Sequence, residues 1–198
     1  ALGLNLVFGT TGLTNFSHGD LLTLGAFTAL ILNEAGLHII IAAPIAIVIA
    51  AVLFGWGQNK VLWRPLRRRK TGLIAMMIIS IGLAIVIRYG VALFFGGAPR
   101  NFDQYAGQPG IEIGPVSTTP KALILAGLAT IALIITVIWV QRSRIGKATR
   151  AVSDNPALAS ATGIDVEKVI AVVWTVAAGL AAFGGIYLGL TQDNIWNM

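Results

Sequence analysis

The segment TNFSHGDLLTLGAF, residues 14–27, sets Asn15, Ser17, His18 and Asp20 directly before an apolar run. His18 and Asp20 are the only ionisable side chains among the first 33 residues. An imidazole so close to a carboxylate could carry protons near neutral pH. Ser17 followed three residues later by an acid also has the form of a capping box in its acidic variant. In that arrangement Ser17 accepts from the backbone of Asp20, and Asp20 reaches back to Ser17. A carboxylate is further favoured at the positive end of a helix dipole. Alternatively, a capped helix start at membrane depth offers these polar groups to a water-filled translocation pathway. A metal site has less support, because His38 is the only other histidine and no third ligand is apparent.

Arg88 is the single charge within the apolar run of residues 71–98. A charge at that depth either faces a bundle interior or cavity or snorkels to the headgroups. Signatures of soluble enzymes are missing: there is no phosphate-binding Gly-rich loop ending in Lys and Ser or Thr, no HExxH and no GxSxG. An intramembrane hydrolase or a channel using His18 and Asp20 stays open as an alternative, but no partner nucleophile is identifiable. Uphill work would need a partner or an ion gradient.

The surrounding elements decide what medium these groups meet. Of 198 residues, 56% are hydrophobic and 11% charged, against roughly 25% charged in a soluble domain. The mean hydropathy is +0.82. Four long runs, at 39–59, 71–98, 122–141 and 169–192, are apolar on every face. Each reaches the roughly 20 residues that a helix needs to cross the hydrocarbon core. Backbone groups in lipid must be satisfied within the segment, so these runs are expected to be helices. LLTLGAFTALIL, residues 21–32, reads as a short or tilted span or a half-helix, and residues 1–13 as the end of a span. There is no cysteine, which excludes disulfides and thiolate metal sites. The expectation is an all-α, polytopic transmembrane helical bundle, a fragment lacking both ends.

The net charge of +6 does not point to nucleic acid, because the basic residues cluster in connectors. KVLWRPLRRRK, residues 60–70, holds six Lys or Arg, and RSRIGKATR, residues 142–150, holds four. Four spans place both connectors on one side, and the positive-inside rule makes that side cytoplasmic. The Pro- and Gly-rich loop 99–121 then faces outside. Within the cytoplasmic stretch 142–168, Asp154 or Asn155 can cap a short helix PALASAT, with Pro156 in its first turn and Gly163 at its end. This small, nearly uncharged helix suits docking into a cleft of a soluble partner. Ala177, Ala181, Gly185 and Gly189 fall four apart on the last run and predict a close helix–helix seam.

ALGLNLVFGTTGLTNFSHGDLLTLGAF, WRPLRRR, LFFGGAPRNF and GKATRAVSDNPALASATGIDVEKV occur in that order. Together they closely resemble the branched-chain amino-acid ABC-transporter permeases, and the similar features cover most of the chain. The resemblance implies one partial permease domain over 1–198, in the bacterial or archaeal cytoplasmic (inner) membrane. It implies a second permease subunit, separate ATP-binding subunits and an extracytoplasmic solute-binding protein as partners. ATP and Mg would be used by the ATPase, with no cofactor bound by this chain. Residues 142–168 would be the coupling segment, with the helix from Pro156 to Thr162 as coupling helix. Arg150, Asn155, Pro156, Ala157, Ala159, Gly163 and Asp165 are its expected ATPase-coupling residues. Branched-chain or similar amino acids are the implied cargo, with urea, short amides or a sugar as the alternative within the superfamily. Arg88 departs from the neutral polar residue that members often carry nearby, and the coupling motif lacks the Glu-Ala-Ala opening of many other importers.

Overall fold

A computed structural model describes residues 1–96, 100, 102, 111–113 and 116–192. Part of LFFGGAPRNF and most of loop 99–121 lie outside the described residues. The helices are α1 (Leu2–Thr11), α2 (His18–Glu34), α3 (Ile39–Ala50), α4 (Arg64–Arg68), α5 (Leu73–Phe95), α6 (Pro120–Arg142), α7 (Arg144–Asp154), α8 (Pro156–Ala161) and α9 (Val166–Gln192). Two π-helical stretches, Ala51–Gly57 and Asn59–Trp63, join α3 to α4, so one uninterrupted rod runs from Ile39 to Arg68. The basic segment 60–68 is thus the end of a span rather than a connector. A short antiparallel hairpin, β1 (Ile111–Ile113) and β2 (Val116–Thr118), pairs Ile111 with Thr118 and precedes α6. It is a small β addition to a membrane part that is otherwise helical.

Among the described residues, four helices are long and apolar enough to cross a membrane: Ile39–Arg68, Leu73–Phe95, Pro120–Arg142 and Val166–Thr191. Their surroundings confirm a lipid host. Ile74 is 77% exposed and Phe94 82% exposed on α5. The only buried residue of α6 is Thr136. Uncovered apolar surface on this scale is ordinary in acyl chains and prohibitive in water.

The last helix, α9, is the hub. It packs against α1, α2, α3 and the first π-helical stretch. Backbones touch where α2 crosses it. A Cβ at Gly25 would collide with Ala182, and one at Gly185 with the Leu22 backbone. Gly3 of α1 is similarly close, with Ala177 O 2.7 Å from a Cβ placed there. Ala177, Ala181, Gly185 and Gly189 are all buried along this face, with Ala181 packed in a cluster with Leu21 and Ala178. Such close approach lets dispersion and weak polar contacts act in lipid, where no hydrophobic drive operates between helices.

Candidate functional site

The first polar group sits where α1 and α2 break. α1 starts beside Ala177, and Gly9 and Gly12 near its end approach Ser153 of α7 and Leu73 at the start of α5. Residues 12–17 then climb back along α5, so that Phe16 N donates to Ser80 Oγ at 3.1 Å. Irregular backbone at this depth calls for protein partners, and the segment supplies several, although Asn15 Nδ2 is buried without one among the described residues. Gly12 N donates to Phe8 O at 2.8 Å and His18 N to Asn15 O at 3.2 Å. Leu13 N donates to Thr11 Oγ1 at 3.2 Å. Asn15 Oδ1 accepts from both Ser17 N (3.2 Å) and Ser17 Oγ (2.7 Å).

These bonds correct the capping-box expectation. Ser17 precedes α2 but makes no side-chain cap: its backbone is in the α region (φ −75°, ψ 0°) rather than the extended one a capping residue adopts, and its hydroxyl donates to Asn15. Asp20 does not reach back either. Its Oδ1 accepts from Arg88 Nε at 3.3 Å, across α2 and α5. The guanidinium therefore reaches a carboxylate on the neighbouring helix, while 63% of the Arg88 side chain stays exposed. The ion pair supplies a stronger, charge-assisted acceptor role for Asp20 than the backbone amide it was expected to meet. Asn15, Ser17, His18 and Asp20 are all buried, at 2%, 0%, 8% and 6% exposure. His18 packs beside Gly3, its Cε1 3.1 Å from a Cβ placed there. Among the described residues no three His, Cys, Asp or Glu side chains gather as a metal site.

Leu21 and Ile87, the neighbours of the ion pair, line a cavity of about 350 Å³ together with Leu24, Leu83, Gly90 and Gln58. Gln58 stands between the two π-helical stretches, and among the described residues neither its amide nitrogen nor its oxygen has a partner. π-helical turns are frequent at functional sites. Gln58 and Ser80 escaped the sequence reading, although each is a polar residue within an apolar run.

The second site is the end of the bundle that carries the basic residues. Most of the connector 142–150 lies in a helix, α7 (Arg144–Asp154), which the sequence reading missed. Ser143 Oγ caps it by accepting from Gly146 N at 2.8 Å, and it buries Gly146, Thr149 and Val152. Arg150 Nη2 donates to Gln141 O at 3.1 Å. Asn155 ends α7 and caps α8, its Oδ1 accepting from Leu158 N at 3.0 Å, with Pro156 in the first turn. Gly163 follows α8 with φ +89°, a left-handed conformation that a side chain would strain. Ala159 is the inward residue of α8, 4% exposed against Val152 and Val169. Ala157 and Leu158 point away, Leu158 being 63% exposed. Leu158 is thus the outward knob of the helix, and its size among alanines was the available signal.

From α8 the chain passes directly into the hub. Asp165 Oδ1 accepts from Lys168 N at 3.1 Å and its Oδ2 lies 3.3 Å from Lys168 Nζ. The Lys168 backbone bond is the main reason its carboxyl is held below the usual range. Glu167 receives Arg67 through two bonds, at 2.9 and 3.3 Å, and Arg67 also donates to Asn59 Oδ1 at 2.9 Å. Arg64 Nε adds a contact at 3.5 Å. Deeper, Trp63 stacks on Trp174 with ring centroids 5.3 Å apart. The rod and α9 are therefore joined at three levels: the Arg67–Glu167 pair, the Trp stack, and Gly55, where Trp174 O lies 2.6 Å from a placed Cβ.

A multi-pass helical membrane protein with a broken, polar helix inside and a capped helix at its basic end is the class these features define. The family model described as "Branched-chain amino acid transport system / permease component" matches residues 1–198, and the chain belongs to that family. It is 29% identical over 202 residues to the high-affinity branched-chain amino acid transport system permease protein LivH of Escherichia coli K12, covering 96% of this chain. It is 28% identical to the corresponding protein BraD of Pseudomonas aeruginosa. A probable branched-chain amino acid transport permease protein of Methanocaldococcus jannaschii is also 28% identical. The chain spans 65% of the length of the Escherichia coli relative. No solved structure matches it.

Proposed function

We propose that this chain belongs to the membrane-spanning subunit of an ABC importer for branched-chain or related amino acids, driven by a separate ATPase that docks on α8. Family membership supports the class and the names of the relatives support the cargo. The observation that carries the docking role is the construction of α8. Asn155 and Gly163 fix its two ends, Ala159 anchors it inward, and Ala157 and Leu158 are left presented. The dense basic residues at this end support a cytoplasmic location by the positive-inside rule, where ATP is available. Arg100 Nη1 pairs with Glu34 Oε1 at 3.0 Å at the opposite end, which would receive cargo from a solute-binding protein.

Work would be transmitted through the hub. Displacement of α8 moves Asp165 and Glu167, and the Arg67–Glu167 pair carries the rod along with α9. The α1–α2 break, with Asn15, Ser17, His18 and Asp20 against α9 and α5, then shifts relative to α5. Such a shift alternates access only if the ATPase binds its two states with different affinity. A second permease subunit completes the pathway, and ATP with Mg is consumed by the partner.

The test is reconstitution of the full-length permease with its cognate ATPase, second permease and binding protein in proteoliposomes. ATP-dependent leucine uptake, lost when Leu158 is replaced by Asp, is expected. Uptake that proceeds without the ATPase, or a Leu158→Asp variant that keeps full uptake, refutes the reading.

A further inference from the structure

We propose that the turn Arg68–Arg69–Lys70, between the rod and α5, binds the headgroup of an anionic phospholipid whose acyl chains lie along the start of α5. The site is independent of the cargo and of docking on α8.

The rod is longer than the membrane core is thick. Its 30 residues would span about 45 Å if wound throughout as an α-helix. Tilt and the π-helical turns shorten it, yet it still overshoots a hydrocarbon core of about 30 Å by roughly 10 Å. The rod begins with Ile39, Ile40 and Ile41, so the overshoot falls at the basic end. Trp56 and Lys60 mark the boundary there. Trp56 is 45% exposed, and Lys60 Nζ lies 4.6 Å from its ring centroid. An exposed Trp with a cation over its face suits the membrane–water interface. The chain beyond Lys60 therefore runs among headgroups.

Positive charge is left over in that layer. Glu167 is shared by Arg64 and Arg67. Arg68, Arg69 and Lys70 are exposed, and among the described residues no carboxylate pairs with them. Three consecutive cations at headgroup level attract anionic lipid. Directly after them, Leu73 and Ile74 are exposed by 47% and 77%. A cationic turn joined to bare apolar surface matches a molecule with phosphate at one end and hydrocarbon at the other. Free phosphate would leave the apolar part unused.

Lys70 also holds its backbone against its preference. Its φ is +54°, and among the described residues it is the only non-glycine with positive φ. It closes α4 in a turn where Lys70 N donates to Arg67 O at 3.0 Å and Thr71 N to Leu66 O at 3.1 Å. Glycine is the usual occupant of that position, because a Cβ is strained there. A lysine at a place that favours glycine is accounted for by what its ammonium group binds. Stability and lipid affinity should then respond to Lys70→Gly in opposite directions, which a purely structural role does not reproduce.

The experiment uses the full-length permease in phosphatidylcholine nanodiscs. Each holds a trace of phosphatidylglycerol or phosphatidylcholine with a photoactivatable acyl chain. Cross-links are mapped by mass spectrometry, and melting is recorded in parallel. The phosphatidylglycerol probe is expected to label the peptide holding Leu73 and Ile74 at least tenfold more than the phosphatidylcholine probe, and less so at high salt. Each basic side chain near an anionic surface is worth roughly fivefold. Lys70→Gly should therefore lower the enrichment about fivefold while raising the melting temperature. Replacing Arg68, Arg69 and Lys70 together by Gln should bring the two probes level. Equal labelling by both probes in the wild type, or displacement of the lipid by glycerol 1-phosphate, overturns the site. Enrichment that survives the triple replacement does the same, and weaker ATPase binding by that variant would then assign the turn to a protein contact. A Lys70→Gly variant that melts below the wild type, or keeps full enrichment, overturns the role of Lys70.

Discussion

The exposed knob of α8 yields the sharpest test of docking. Leu158 keeps 63% of its surface open, while full burial of a leucine side chain is worth about 1.5–3 kcal/mol. If the ATPase covers what is exposed, Leu158→Ser forfeits about 1–2 kcal/mol of docking energy per α8. That loss weakens ATPase binding by roughly 5- to 30-fold. The permease itself should be unharmed, because the side chain contributes little to internal packing. The assay titrates ATPase subunits onto the full-length permease in nanodiscs and records detergent-solubilised melting in parallel. Ala159→Glu is the contrast: Ala159 is 4% exposed against Val152 and Val169, so that variant should melt early. Unchanged ATPase affinity for Leu158→Ser, or a melting loss equal to that of Ala159→Glu, refutes the assignment of faces.

Further expectations concern the hub and its entry. Gly185→Leu should destabilise the fold by more than about 3 kcal/mol through overpacking against Leu22, read as detergent melting, whereas Gly184→Ala, beside only a distant Leu22 methyl at 3.8 Å, should be tolerated. Glu167→Gln should cost about 2 kcal/mol by weakening the charge-assisted bonds from Arg67; a double-mutant cycle with Arg67→Gln should show strong coupling between the two positions. Asn155→Ala should remove the α8 cap at a cost of about 1 kcal/mol to that helix, seen as faster amide exchange at Leu158. Asp165 carries a depressed carboxyl pKa. Its contribution is therefore complete above the ordinary carboxylate range and lost as pH falls through the depressed value. Amide protection at Lys168, corrected for intrinsic exchange, should drop only under that acidification, and constancy down to the lowest accessible pH would contradict the cap.

The large features were legible because lipid simplifies the problem. A long apolar run has one way to satisfy its backbone, so the spans over 71–98, 122–141 and 169–192 could be read from hydropathy alone. The helix at 156–161 was legible for a local reason: Asn155, Pro156 and Gly163 are specific to their positions. What failed depends on partners distant in sequence. Asp20 looked like a cap because its near neighbours allow one, and nothing local reveals Arg88, 68 positions away. Gln58 was hidden because hydropathy reads a helix without its winding. α7 escaped notice because its buried face is Gly146, Thr149 and Val152, too small and polar to register as a core. Leu158 was lost among alanines because the outward side of a two-turn helix depends on what Ala159 packs against.

With a single side chain of α6 tucked inward, its sequence is almost free of obligations to the rest of this polypeptide. Saturation mutagenesis along that helix would thus act as a detector turned outward. Even tolerance of every aliphatic replacement around its circumference would mean fluid acyl tails on all sides. A narrow line of intolerance would trace a fixed protein neighbour pressed against it, and its angular position would give the direction from which that neighbour comes.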